Sequence, residues 1–432
     1  MKRKINTVSA LVLSVAMLAG CSSAPNGEGN TNKQQQPITL KFYTGDKDYE
    51  DRFKREIADK VKAKYPYISF EFQGGKDLKE LVLAGQSPDL YYQGLSALDT
   101  NLVNLNMQFD LSDLIKKSGF DLNRIDPAYL DIIRTASQGY GGTYFGLPVT
   151  TFTPVLFYNK EVFDKFGVPY PKDGMTWDDA YELSRKLTKE VDGVQYKGMT
   201  MNFQYLLDNN QLAAPYLHPK EDKAAVNTPE WRSIFTTLGK FYQIPLNNPL
   251  DDRSRVKEVN DFTKERISAM HADVTAAIDS FPSDFVNWDM VTLPTMTEAK
   301  GLNAQLNPRF YYIMSSSKHK EDAFKVIEFV LSQEMQLAAS KAGKSTVLNN
   351  EEVKKAYGQE FDKLKEKNIG ALYFNKPVKP AAARDAKLTA IPASPIANKE
   401  FIQFIKGAKD INTSLRDFEE ALNKAIQAEK AK

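Results

Sequence analysis

Three sets of polar and aromatic residues follow short apolar strands in this chain. Gly45-Asp46-Lys47 comes after an alternation at Thr39 to Tyr43, and Tyr91-Tyr92-Gln93-Gly94 comes after Pro88-Asp89. Gln204-Tyr205 follows Met199-Thr200-Met201. Carboxylate, ammonium, carboxamide and phenol groups together supply hydrogen-bond donors and acceptors, while the rings supply apolar faces. A hydroxyl-rich solute such as a sugar needs both kinds of partner for its hydroxyls and a ring for its C–H face. In an open α/β sheet a ligand sits beyond the carboxyl ends of the strands, which are the positions these residues occupy. A strand alternates its faces, so one of Tyr91 and Tyr92 belongs to the core; Tyr92 and Gln93 are assigned to the cleft and Asp89 to a turn. For Gly45-Asp46-Lys47 a solvated turn is an equally good reading.

Covalent chemistry has no comparable equipment. The chain lacks a G-x-S-x-G elbow and an H-E-x-x-H pair, and its three histidines, His218, His271 and His319, are far apart. Gly343-Lys344-Ser345 has the end of a phosphate loop, but Ala338 stands where the first glycine should be and a helix precedes it. No carboxylate pair stands out as an acid/base couple. The only cysteine is Cys21, so neither a disulfide nor a cysteine metal site is available downstream. The expectation is a protein that binds without catalysing, with no cofactor and no metal. Without Lys2, Arg3 and Lys4 the count is 54 basic against 55 acidic residues, which lacks the footprint of a nucleic-acid binder.

The elements that must carry these residues can be read from periodicity. Thr39 to Tyr43, Ile68 to Phe72 and Leu90 to Tyr92 read as strands. Helices carrying Phe53, Ile57 and Val61, and then Asp77 to Ala84, separate them. That alternation argues an α/β unit with a largely parallel sheet. Helical patterns run from Asp110 to Gly139 and through most of 176–245, and Glu321 to Lys341 reads as one helix. Beyond Leu348 the pattern weakens, with a Pro-rich stretch from Lys376 to Pro395 and a last helix through Leu415, Phe418, Leu422 and Ile426. At 432 residues the chain can hold two domains.

Between Tyr144 and Lys189 stands GLPV…LFYNKEVFDKFGVPYPKDGMTWDDAYELSRKLTK. It combines a Pro break, an extended run, a short helix closed by Gly167, and a Thr176-Trp177-Asp178-Asp179 helix start. This segment resembles the extracellular solute-binding proteins of ABC importers. The resemblance implies a two-lobed α/β fold of the periplasmic-binding type (type II), each lobe a mixed, mostly parallel sheet flanked by helices, with the ligand cleft between. Residues 38–149 with 309–345 would form lobe I, and 150–308 with 346–432 lobe II. It also places ligand contacts at Asp46 and Lys47, at Thr151 and Phe152 in the first crossing, at Asp273 after Met270, and at Tyr311 in the second crossing. The maltose-binding members carry a glutamate at the Phe152 position, so that hydrogen bond is absent. Trp177, Trp231 and Trp288 fall in structural motifs.

The start of the chain has a basic cluster, an apolar run from Val8 to Ala19, and Leu18-Ala19-Gly20-Cys21. This resembles the lipobox of bacterial lipoproteins, with residues 1–20 as signal peptide, Cys21 lipidated, and Ser22 to Pro37 a disordered tether. Two acyl chains would hold the protein at the outer face of the cell membrane. The family resemblance then implies a monomeric receptor that closes on a small solute, a saccharide above all, and delivers it to the ABC permease. A sensor for a signalling kinase keeps the same fold, and a surface carbohydrate-active enzyme is the reading from another class.

Overall fold

A computed structural model of the chain describes residues 36–247, 255–382 and 384–431. Residues 1–35, with Cys21, the signal segment and most of the expected tether, lie outside the described residues.

Two sheets organise the rest. The first has five strands in the order Ile68–Phe72, Ile38–Tyr43, Leu90–Gly94, Pro308–Ile313 and Gly146–Thr151. The strands read from the start of the chain pair in parallel, Phe42 against Leu90 and Ile38 against Ile68. Pro308–Ile313 enters antiparallel between Leu90–Gly94 and Gly146–Thr151. One face buries Leu40, Phe42, Tyr311 and Ile313 under the helices near Phe53 and Phe324. The other buries Tyr43, Tyr91, Phe310 and Tyr312 under the segment carrying Leu98 and the helix carrying Ile133. Asp89 ties this lobe together, accepting from the Lys41 amide at 2.9 Å and from Ser317 Oγ at 2.5 Å.

The second sheet has four strands, in the order Trp288–Thr292, Pro154–Asn159, Met270–Val274 and Thr200–Met201. Its core holds all three tryptophans, each at most 2% exposed. Burying one large aromatic side chain stabilises the fold by about 3 kcal/mol, so this is where much of the second lobe's stability lies. The Trp177 helix begins with a capping box: Thr176 accepts from the Asp179 amide, and the Asp179 carboxylate accepts from the Thr176 amide. The preceding helix, Lys160–Phe166, ends at Gly167 with φ +63°, a left-handed cap that glycine adopts without strain.

Two features differ from the sequence reading. Glu321 to Lys341 forms two helices, Lys320–Val330 and Gln333–Lys341, because Ser332 turns its hydroxyl onto the Met335 amide and starts a new one. The weak pattern near the end of the chain hides a 13-residue helix, Ala393–Ile405, packed on Trp231's neighbour Phe235 through Phe401 and Phe404. Its Pro395 falls within the first turn, where a missing amide costs no hydrogen bond.

The chain passes between the sheets at 152–153, and at 306–307 it enters the first sheet from a separate two-stranded sheet formed by Leu302–Gln305 and Lys376–Val378. Strands Gly146–Thr151 and Pro154–Asn159 are separated only by Phe152 and Thr153, so the two sheets meet end to end there.

Candidate functional site

At that junction, Pro308–Ile313 lies antiparallel to Leu90–Gly94, with Arg309 opposite Gly94. Strand alternation puts Arg309 on the same face as Tyr311, one step nearer the end of the sheet. A Cβ on residue 94 would sit 2.7 Å from Arg309 Nη1, so only a glycine lets the guanidinium lie across this strand. Arg309 Nη1 donates to Gln93 Oε1 at 2.7 Å, and the same oxygen accepts from the Gly94 amide at 3.0 Å. The Phe152 ring lies under the guanidinium, 5.4 Å from its central carbon, within cation–π range. No carboxylate among the described residues pairs with Arg309.

The second lobe brings Tyr205. Asn202 caps the helix Phe203–Asp208, accepting from the Tyr205 amide at 3.2 Å and donating from Nδ2 to Asp273 Oδ1 at 2.7 Å. Tyr205's hydroxyl is buried without a hydrogen-bond partner. Burial pushes this phenol's pKa far up, the Asp273 charge pushes it further, and the Arg309 charge pulls it back.

Asp273 itself is fully buried. Besides Asn202 it accepts from the Val274 amide at 2.7 Å, and His271 Nε2 lies 3.5 Å from its other oxygen. His271 is fixed in turn by Thr200 Oγ1, 2.9 Å from Nδ1. Asp273 thus stands one layer behind Tyr205, holding the end of its strand to the Asn202 cap.

The remaining sequence candidates divide by position. Tyr92 is half-buried, stacked 5.3 Å from Tyr49 and edge-on to Tyr311 at 5.5 Å. Burial pushes its phenol up to about 12, against the pull of Arg309 and Arg52. Tyr311 is a core residue, 1% exposed. Tyr92, Thr151, Phe152 and Tyr311 all border a cavity of about 120 Å³ that reaches Ala276 and Asp279 of the second lobe. Asp46 is exposed and turns its carboxylate onto the Asp48 amide at 2.9 Å, with Lys47 exposed beside it. Gln204 is exposed on the second lobe, donating to Ser394 Oγ at 3.1 Å. Gln93 and Phe152 gather around Arg309, Tyr205 stands on the second lobe beside the Asn202 cap, and Asp46, Lys47 and Gln204 are exposed.

Larger spaces open on the other side of Phe152. One of about 690 Å³ is lined by Tyr129, Phe152, Thr153 and Asn303 to Leu306. Another of about 610 Å³ shares Ala128, Leu306 and Pro377 with it and adds Leu95 and Ser96, just past the first sheet's strand end. On the near side an ion triad joins the lobes: Asp279 lies 2.7 Å from Lys344 Nζ and 3.6 Å from Arg52 Nη2.

Arg309 is not among the sequence candidates, which place only Tyr311 in the second crossing. The available signal was a cation opening an otherwise apolar strand, Arg309-Phe310-Tyr311-Tyr312-Ile313. No group of three or more metal-ligating side chains occurs among the described residues, and none of their helices is long and apolar enough to cross a membrane.

The family model for bacterial extracellular solute-binding proteins matches residues 47–337. The sn-glycerol-3-phosphate-binding periplasmic protein UgpB of Rhizobium meliloti is 23% identical over 334 residues, 73% of this chain and 75% of that protein. The arabinooligosaccharide-binding protein of Bacillus subtilis is 29% identical over 196 residues, 42% of each chain. Among solved structures, an ABC substrate-binding protein from Listeria monocytogenes in complex with cycloalternan superposes with a TM-score of 0.70 at 19% identity, covering 91% of this chain and 99% of that one. UgpB from Mycobacterium tuberculosis in complex with glycerophosphocholine also gives 0.70, at 14% identity, covering 92% and 100%. The two sheets, their crossings and the expected cleft between them are thus the two-lobed fold of these proteins, and the chain belongs to the bacterial extracellular solute-binding protein family.

Proposed function

We propose that this protein is the lipid-anchored receptor of an ABC importer, capturing a hydroxyl-rich solute of saccharide size between its lobes and handing it unaltered to the permease. The observation that carries the reading is Arg309 at the junction of the two sheets, held by Gln93 at one strand end and by Phe152 of the first crossing. Residues 38–149 with 309–345 form one moving body and 150–308 with 346–432 the other. Val347 and Leu348 pack in the first lobe's core, so the later segment leaves that lobe after 348 rather than at 345.

Closure is the mechanism. A solute shifts the lobes only through contacts it makes better in the closed form, so groups from both sides must grip it. Tyr92 and Thr151 line the approach on one side of Phe152, and the 690 Å³ space gives room on the other. In this reading Asp46, Lys47 and Gln204 contact the outer parts of an extended solute. The chain catalyses nothing, works as a monomer, and is held at the outer membrane face through Cys21. A diacylglyceryl mass on the mature N-terminal peptide checks the anchor.

Relatives named for sugars and for glycerol phosphate leave the solute within one broad class of polyhydroxylated compounds. A thermal-shift screen against mono- and oligosaccharides and polyol phosphates tests the reading, since binding to the folded state alone must raise the melting temperature. The bound compound should be recovered unchanged. Conversion in excess of stoichiometry would contradict the receptor role.

A further inference from the structure

We propose that the captured solute is acidic, a carbohydrate or polyol bearing a carboxylate or phosphate that seats on the Arg309 guanidinium with the Tyr205 hydroxyl as a second donor. This rests on the receptor reading above and specifies its ligand.

Charge accounting is the first argument. Several partly buried cations are matched by carboxylates within the protein. Lys344 and Arg52 face Asp279, Arg384 and Lys430 face Asp222, and Lys197 faces Asp261. Arg309 is half-buried between Gln93 and Phe152 and has no such partner among the described residues. A partly desolvated charge is costly until an opposite charge meets it.

The second argument is how Arg309 is held. Gln93 fixes one nitrogen without neutralising the charge, where a glutamate in the same place would have done so. Phe152 supports the flat face, and Gly94, without a side chain, makes room for the guanidinium. The guanidinium is thus oriented while its other N–H groups remain available in the planar fork that matches a carboxylate or phosphate. A neutral sugar hydroxyl could accept from those N–H groups but would leave the charge unmet.

Tyr205 is the third. Its hydroxyl is buried without a protein partner, on a helix whose cap is fixed by Asn202 and Asp273. A buried hydroxyl left unpaired in the free protein is explained if an incoming oxygen completes it.

The test is calorimetric titration of the mature protein with matched probes: glucose, glucuronate and a glucose phosphate ester, and glycerol beside glycerol phosphate. The acidic member of a set should bind at least about tenfold more tightly than its neutral partner. Arg309→Gln should lower the acidic probe's affinity roughly 10- to 100-fold and remove the preference, and raising salt should weaken the parent's binding. Comparison of the uronate and phosphate arms tells which acid the site takes. Arg309→Lys keeps the charge without the fork and should recover part of the loss. Circular dichroism melting confirms that each variant folds, and Tyr205→Phe gives a second, independent reduction. Neutral probes binding as tightly as acidic ones, or Arg309→Gln retaining the acidic probe's affinity, would overturn the inference. Binding of neutral sugars with none of the acids would overturn it as well, while leaving the receptor reading in place.

Discussion

Arg309 and Asp273 are charges of opposite sign on either side of the lobe junction, and their surroundings are opposite too. Asp273 is fully buried and saturated, taking hydrogen bonds from Asn202 and the Val274 amide with His271 beside it. Arg309 is half-exposed, held by one neutral side chain and one ring. A saturated buried charge holds structure in place, whereas an oriented but unmatched one is available to something that arrives. The second lobe therefore uses its charge to fix a strand end and a helix cap, whereas the proposed role of the first lobe's charge is to meet the solute.

The largest effect expected from this contrast is on stability. Asp273→Ala strips the acceptor from Asn202 Nδ2 and the Val274 amide inside the core, and should cost about 3 kcal/mol in denaturant unfolding. Arg309→Gln, with no ion pair to lose, should leave the unfolding midpoint of the ligand-free protein near the parent's. Equal destabilisation by both would erase the distinction between them.

A smaller effect separates stability from binding within one residue. Tyr205→Phe removes a hydroxyl that has no partner in the free protein, so melting without ligand should stay level or rise slightly. Affinity for the bound probe should fall about 2- to 10-fold, the worth of one hydrogen bond, read by calorimetry. A stability loss without an affinity loss would make Tyr205 a packing residue.

The smallest concerns the ion triad. Asp279 joins Arg52 and Lys344 across the lobes, but all three are partly exposed, which limits such pairs to about 0.2–1 kcal/mol. Asp279→Asn should shift affinity by no more than about fivefold, and the difference from the parent should shrink at about 1 M salt. A change surviving high salt would place Asp279 in direct contact with the solute.

Much of the fold was legible because local chemistry and global packing agree. Thr176 and Asp179 announce a capping box and form one. The alternation of Leu40 and Phe42 gives a buried face, and the Tyr91-Tyr92 pair splits between the two faces of its sheet. The Ser332 break went unread because a serine within an apolar helical period gives a weak stop signal. The Ala393–Ile405 helix was masked by its prolines. In the candidate site, Gln93 and Tyr205 follow from the rule that ligands sit beyond strand ends, whereas Phe152 comes from the family resemblance. Arg309 escaped that rule because it opens its strand; the strand runs antiparallel to its neighbours, so its first residue lies at the end where theirs finish. Asp273's burial is equally invisible from sequence, since it depends on Asn202 folding back from 71 positions away.

The central claim is that the two lobes close on a solute about the crossings at 152–153 and 306–307. Small-angle X-ray scattering of the mature protein, alone and saturated with whichever probe raises its melting temperature, tests this most directly. The account predicts a smaller radius of gyration and a shorter maximum dimension in the bound sample. A scattering profile unchanged at saturation would contradict it.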